Sequence, residues 1–343
     1  DLRPLLQHAA LLERQGRLAD AEALYSKVLA EWPELADTWY NLARLQRRAG
    51  KFDAALASYQ QALDRGIEQP EEVHLNRGVI YSDCLRRDEA AEQELQTALA
   101  LNPQYVPALF NLANLREDYG RRSDALELYE RILALEPGNH EALSRYASLK
   151  LARQSDDPLV ARLQAALRTP VIDAAARASL GFALGKVLDA CGDYDAAFDA
   201  YSTANRAGRI HGYDRAAHER FVDELIRCFD TTPPAMTQAL QPEPIFICGM
   251  FRSGSTLTEQ VLAAHSQVEA GGELAFLPAL ANRTLAPFPA SMKTIAEPQL
   301  RILSEQYLKS LSQLFPGAMH VTDKRPDNFL YIGLIKRLFP AAK

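Results

Sequence analysis

A period of 34 residues runs through the N-terminal half of the chain and limits that half to one kind of architecture. Gly16 and Gly50, Ala21 and Ala55, Tyr25 and Tyr59, and Pro103 and Pro137 are each 34 residues apart. Gly78, Tyr81, Ala91, Ala98 and Pro103 carry the pattern through the middle with one residue of slack between helices, and Ala125 and Tyr129 continue it. Such a period means a two-helix unit stacked on copies of itself, with no single closed core. Each position has a physical reason. The alanines fall where two helices cross, and only a small side chain lets the backbones approach. Gly16, Gly50 and Gly120 allow the inter-helix turn. Pro33, Pro103 and Pro137 stop the second helix, and the tyrosines fill the gap to the next unit.

The pattern resembles the tetratricopeptide repeat, with Trp39-Tyr-Asn-Leu42 as a helix opening. Four units are predicted over 2–139, then a first helix over His140–Arg153 and an irregular helical stretch near Asp156–Thr169. A last unit is carried by Leu184-Gly185, Gly192, Ala197, Tyr201 and Ala204. Tyr213–Phe229 reads as a capping helix before a boundary rich in proline: Pro233, Pro234, Pro242 and Pro244. Such solenoids hold an extended peptide along the first helices. Asn41, Asn76 and Asn111 recur there every 35 residues, and an amide bonds both N–H and C=O of a peptide. Solvated Asn side chains are the plainer reading. Dimerisation or packing is the alternative use of the repeats.

The 343 residues suit two domains, and their net charge of −6 divides unevenly. Residues 241–343 hold ten basic and eight acidic side chains, which leaves −8 on residues 1–240. An acidic whole argues against a general nucleic-acid binder. No apolar run nears the roughly 18–20 residues of a membrane helix, and no leader segment is evident. Cys84, Cys191, Cys228 and Cys248 form no CxxC pair, so neither zinc ribbon nor disulfide scaffold is expected and a reducing, cytoplasmic compartment is the default. None of the histidines has metal-ligand spacing; His265 is expected to pack or cap. Cys248 is expected as a buried small hydrophobe.

Residues 244–257 read Pro-Ile-Phe-Ile-Cys-Gly-Met-Phe-Arg-Ser-Gly-Ser-Thr-Leu. A β-prone run (Ile245–Cys248) enters a glycine loop, and a helical pattern follows from Thr256 to His265. Strand, loop, helix is the context in which backbone N–H groups and a helix N-terminus favour an anion. Gly249 and Gly254 have the GxxxxG spacing of a Walker loop, but Ser255 stands where that loop needs Lys. A nucleotide kinase is thereby disfavoured. Arg252 supplies positive charge from another position in the loop.

Phe251-Arg-Ser-Gly-Ser-Thr-Leu257 resembles the PRSGTTL loop of sulfotransferases, which binds the 5′-phosphosulfate of 3′-phosphoadenosine 5′-phosphosulfate (PAPS). The resemblance continues through Ala264-His-Ser-Gln-Val268, Gly271-Gly-Glu-Leu274 and Thr322-Asp-Lys-Arg-Pro-Asp-Asn328. With its repeats, the chain resembles the bacterial tetratricopeptide-repeat sulfotransferases, and its catalytic half is similar to the tyrosylprotein sulfotransferases. The resemblance implies an all-α solenoid over 1–240 and the N-terminal part of an α/β, P-loop-like three-layer domain over 241–343. It implies a parallel sheet containing Ile245–Cys248 and Met319–Thr322, with helices near 256–265, 298–314 and 328–339.

By position, Arg252, Ser253, Gly254, Ser255 and Thr256 would hold the 5′-phosphate and sulfonate. Glu273 would be the general base and Lys324 the cation on the leaving phosphate. Transfer to a hydroxyl needs such a base and cations where charge develops. The sulfuryl group carries less charge than a phosphoryl group, so no metal is expected, and 3′,5′-ADP would be the product. Phe251, Ser255 and Ser266 replace the family's Pro, Thr and Pro without removing a backbone donor. The family's 3′-phosphate ligands, an Arg and a Ser, follow a Leu-Phe-Pro segment (here Leu338–Pro340), so they are expected beyond Lys343 and the domain to be C-terminally incomplete. The acceptor is read as a peptide tyrosine, with a carbohydrate or small-molecule hydroxyl as alternative. A repeat scaffold with an inactive domain is the rival from another class. Among plainer roles, Arg252 reads as a surface residue on a tight turn, Glu273 as a solvated carboxylate or a cap for the next helix, and Lys324 as the partner of Asp323; Asp327 or Asn328 is read as the N-cap of a helix over Phe329–Leu338.

Overall fold

The structure, a computed structural model, describes residues 2–150, 154, 157–170, 172–208, 213–229 and 242–342. It divides into two units, Asp1–Gly212 and Tyr213–Lys343. The boundary prolines Pro233 and Pro234 and the chain end at Lys343 lie outside the described residues.

The first unit is all helix: α1 (Leu2–Arg14), α2 (Leu18–Glu31), α3 (Ala36–Arg48), α4 (Phe52–Asp64), α5 (Pro70–Val79), α6 (Asp88–Leu101), α7 (Val106–Asp118), α8 (Arg122–Leu135), α9 (His140–Lys150), α10 (Pro158–Leu167), α11 (Ala174–Ala190) and α12 (Tyr194–Gly208). Helices pair as α1/α2, α3/α4, α5/α6 and α7/α8; α9 then packs on α11 and α11 on α12, with α10 interposed. Ala21, Ala55, Ala91 and Ala125 are fully buried, as the crossings require. The repeat tyrosines close the joints: Tyr59 and Tyr129 are buried and meet Tyr40 and Phe110 edge-on at 5.6 and 5.9 Å. In the third unit the spare residue is taken up by a π-helical turn, Ile80–Cys84. That unit turns through Arg86 at φ +52° where its neighbours use Gly50 and Gly120.

The second unit contains α13 (Arg215–Cys228), β1 (Glu243–Ile247), α14 (Ser255–Ala263), β2 (Val268–Glu269), α15 (Phe276–Ala279), α16 (Glu297–Leu314), β3 (His320–Lys324) and α17 (Ile332–Leu338). The strands form a parallel sheet in the order β1-β3-β2, with Ile247 opposite Lys324 and Val268 opposite His320. β3 is central and its last four residues are buried, as a strand flanked on both edges and covered by helices should be. Tyr307, Phe339, Leu277 and Leu334 form the core beside it.

Some local expectations need correction. Cys248 lies just beyond β1 and is exposed. Instead of one helix over 328–339, a 3₁₀ segment (Pro326–Tyr331) precedes α17. Asn328 is buried and donates to the Asp323 carbonyl (3.1 Å) and carboxylate (3.2 Å), so it is no cap. The helix read as a solenoid cap, α13, is grouped with the second unit. Its Phe221 and the following Phe229 pack on Phe288, with centroids 6.5 and 6.3 Å away. Gly333 also lies under the Phe229 ring, where a Cβ would come within 2.2 Å.

Candidate active site

The loop after β1 is fastened to the exit of β3. The Gly249 N–H donates to the Pro326 carbonyl, and the Arg325 N–H to that of Ile247, both at 3.2 Å. Ser253 N–H closes the loop on the Met250 carbonyl at 3.1 Å. Arg252 (φ +64°) and Gly254 (φ +93°) are both left-handed. For a side chain like Arg252 that conformation costs roughly 1–2 kcal/mol, and such strain concentrates at binding and catalytic loops. α14 starts at Ser255 with no side-chain cap. Its first-turn N–H groups at Ser255, Thr256 and Leu257 therefore have no intrahelical acceptor and carry the positive end of the helix dipole. Arg252, Ser253, Gly254 and Thr256 are exposed and Ser255 is half-buried.

On the neighbouring strand, Lys324 Nζ donates to Glu273 Oε1 at 2.9 Å. The lysine side chain is 8% exposed and the glutamate 52%. The cation is thus held within the protein, while the carboxylate faces solvent. Lys324 does not pair with Asp323, because successive strand residues point to opposite faces. Lys324 ends β3 opposite Ile247, where the Arg252 loop begins, and Glu273 follows β2. All three predicted chemical residues therefore sit at the carboxyl ends of adjacent parallel strands, where α/β sheets hold ligands.

Two buried groups escaped sequence reasoning. Glu259 on α14 is 3% exposed and accepts from the Gly272 N–H (2.9 Å) and the Thr322 hydroxyl (2.7 Å). Helical spacing groups it with Ser255 and Leu262, but a lone carboxylate between Leu257 and Val261 reads as the solvent face. The reverse holds: those two are 69% and 66% exposed. The second is Asp323, fully buried, which accepts from the Tyr307 hydroxyl at 2.8 Å and from Asn328.

Burial pushes the Asp323 carboxyl up to about 6, against the hydrogen bonds from Tyr307 and Asn328 that lower it. Its proton is held more tightly in the folded unit than in the unfolded chain, so this group lowers stability as pH rises from about 4 to 6. The expected loss is about 3 kcal/mol. Urea unfolding followed by the Val321 methyl resonance should show that fall between pH 4 and 6.5, and Asp323→Asn should flatten it. An equal slope in the variant would assign the titration elsewhere.

In the first unit the asparagines are not equivalent. Asn76 accepts from Arg47 (3.0 Å) and donates to the Glu72 carbonyl (2.9 Å) and Tyr40 hydroxyl (3.3 Å). Asn111 donates to the Pro107 carbonyl of its own helix at 2.8 Å. Asn41 lines a cavity of about 540 Å³ with Glu13, Arg14, Arg44 and Arg48. Glu13 meets Arg48 at 2.5 Å and Arg44 at 3.5 Å. Among the described residues no His, Cys, Asp or Glu cluster suits a metal ion, and no helix is long and apolar enough to cross a membrane.

Residues 244–343 match the Sulfotransferase family, and residues 2–68, 40–106 and 106–149 match tetratricopeptide-repeat families. The chain is a tetratricopeptide-repeat protein carrying a sulfotransferase-family domain, the order of parts found in tetratricopeptide-repeat sulfotransferases. It is 29% identical over 310 residues, 84% of its length, to an "Uncharacterized protein" of Aquifex aeolicus (strain VF5), and spans 40% of that relative. Human RNA polymerase II-associated protein 3 is 30% identical over 110 residues, which is 32% of this chain and 16% of that protein. Among solved structures, pilF of Pseudomonas aeruginosa aligns with 65% of this chain and 97% of its own at 20% identity and a TM-score of 0.47.

Proposed function

We propose that the chain transfers the sulfuryl group of PAPS to an acceptor hydroxyl, and that its repeats recruit the peptide or protein bearing it. The observation that carries this reading is the Lys324–Glu273 pair, 2.9 Å apart at the carboxyl edge of the sheet, next to the loop that presents Arg252 and the first turn of α14. Glu273, half in solvent, takes the acceptor's proton as the new oxygen–sulfur bond forms. Lys324 and Arg252 then neutralise charge on the phosphate oxygen whose bond to sulfur breaks. Lys324, Arg252 and a helix N-terminus supply this positive charge, so the reading calls for no metal. The second oxygen of the Glu273 carboxylate accepts the acceptor hydroxyl while Oε1 keeps the Lys324 contact.

A peptide tyrosine is the favoured acceptor, because a solenoid offers an extended groove and Asn41 opens onto a cavity ringed by three guanidiniums. Carbohydrate hydroxyls are the alternative, and one transfer assay offering both acceptors separates them. The donor is tested by melting. At 100-fold over its dissociation constant, 3′,5′-ADP should stabilise the intact protein by about 2.7 kcal/mol, well beyond Mg-ATP. The opposite order would point to a kinase.

A further inference from the structure

The Gly271-Gly272 turn delivers Glu273 to Lys324, and its hydrogen bonds converge on one buried carboxylate. Gly272 N–H donates directly to Glu259 Oε1 at 2.9 Å. Gly271 N–H donates to Thr322 Oγ1 at 3.0 Å, and that hydroxyl donates onward to Glu259 Oε1 at 2.7 Å. The Gly272 carbonyl accepts the Lys324 N–H at 2.8 Å. Glu259 is on α14, one turn beyond the residues that present the anion-binding N–H groups, and is 3% exposed. Burying a carboxylate is costly unless donors satisfy it; here both donors steer the segment that ends at Glu273.

We infer that Glu259, acting with Thr322, is a positioning residue for Glu273: it ties the helix of the anion loop to the backbone that aims the base. This rests on the sulfotransferase reading for its kinetic consequence, not for its geometry. A helix held only by apolar contacts would let the loop and the base drift independently. One buried acceptor shared by α14, β3 and the β2 loop makes them move together, so the anion site and the base keep one spacing.

Thr322→Val removes the hydroxyl relay while keeping shape, Thr322→Ser restores it, and Glu259→Gln keeps an acceptor oxygen without charge. Each is made in the intact protein and read in two ways. In crystal structures, Thr322→Val should open the Glu273–Lys324 contact beyond hydrogen-bond reach, and Thr322→Ser should keep it. In transfer assays, Thr322→Val should lower kcat at least tenfold, with 3′,5′-ADP affinity within about twofold and rescue by Ser. Glu259→Gln should fall between them. In a Glu273→Gln background, Thr322→Val should add no further loss. An unchanged ion pair in Thr322→Val, or additive losses in the double variant, would overturn the positioning role. If the contact opens but the parent shows no PAPS turnover, the geometry stands and the sulfotransfer reading falls; if the contact opens and PAPS turnover is unaltered, Glu273 is not the base and the positioning role falls. A Thr322→Val protein that does not fold leaves Glu259→Gln to decide by the same two readouts.

Discussion

Glu273→Gln should lower kcat for sulfuryl transfer by 10²–10⁴-fold, the range contributed by a positioned general base, and leave 3′,5′-ADP affinity within about twofold. Glutamine keeps the size of the side chain and still offers Lys324 an amide oxygen at the observed 2.9 Å contact. The lysine therefore stays paired and the cation site keeps its shape. What disappears is an acceptor for the hydroxyl proton. Because the Glu273 side chain is 52% exposed and the glutamine oxygen keeps the bond to the buried Lys324, the substitution should hardly alter stability. Single-turnover rates and equilibrium titration of 3′,5′-ADP on the intact protein check both halves. If turnover and nucleotide affinity fell together, Glu273 would be a structural residue.

What could be read without coordinates was what repeats or what chemistry restricts locally. The 34-residue period placed Ala21, Ala55, Ala91 and Ala125 at helix crossings, and all four are fully buried, because a two-helix unit offers one crossing per period. The spare residue near Ile80 was visible as a break in spacing, but not that a π turn absorbs it. Glu273 and Lys324 were legible as residue types in ordered motifs. Their contact joins positions 51 apart, and only the parallel register of β3 brings them together. Glu259, Asp323 and Asn328 were misread or passed over for a shared reason: each is polar, and each is buried by partners distant in sequence or face. Thr322 lies 63 residues from Glu259, a distance over which helical periodicity carries no information. The same holds for Asn76, whose spacing suggested a free amide; Arg47 on another helix engages it.

Gly271→Ala should dismantle the second unit while sparing the first. An added Cβ would lie 1.9 Å from the Thr322 carbonyl oxygen and 3.1 Å from its carbon. Neither atom can retreat, because Thr322 belongs to the central strand, opposite Ile245 of β1, with β2 on its other edge. Overpacking against a flexible side chain costs about 1–3 kcal/mol; against hydrogen-bonded backbone the upper end or beyond is expected. Gly317 provides the contrast. It has φ +80° with nothing within 4 Å of an added Cβ, so Gly317→Ala should cost only the left-handed strain, about 1–2 kcal/mol. The two tryptophans, Trp32 and Trp39, both lie in the repeats, so their fluorescence follows the first unit alone. In Gly271→Ala that transition should stay where it is in the parent protein, while amide protection across β3 is lost and the Val321 methyl resonance collapses. A parent-like β3 in this variant would mean that the Gly-Gly turn has room to move, and the spacing it sets between α14, β3 and Glu273 would then be soft.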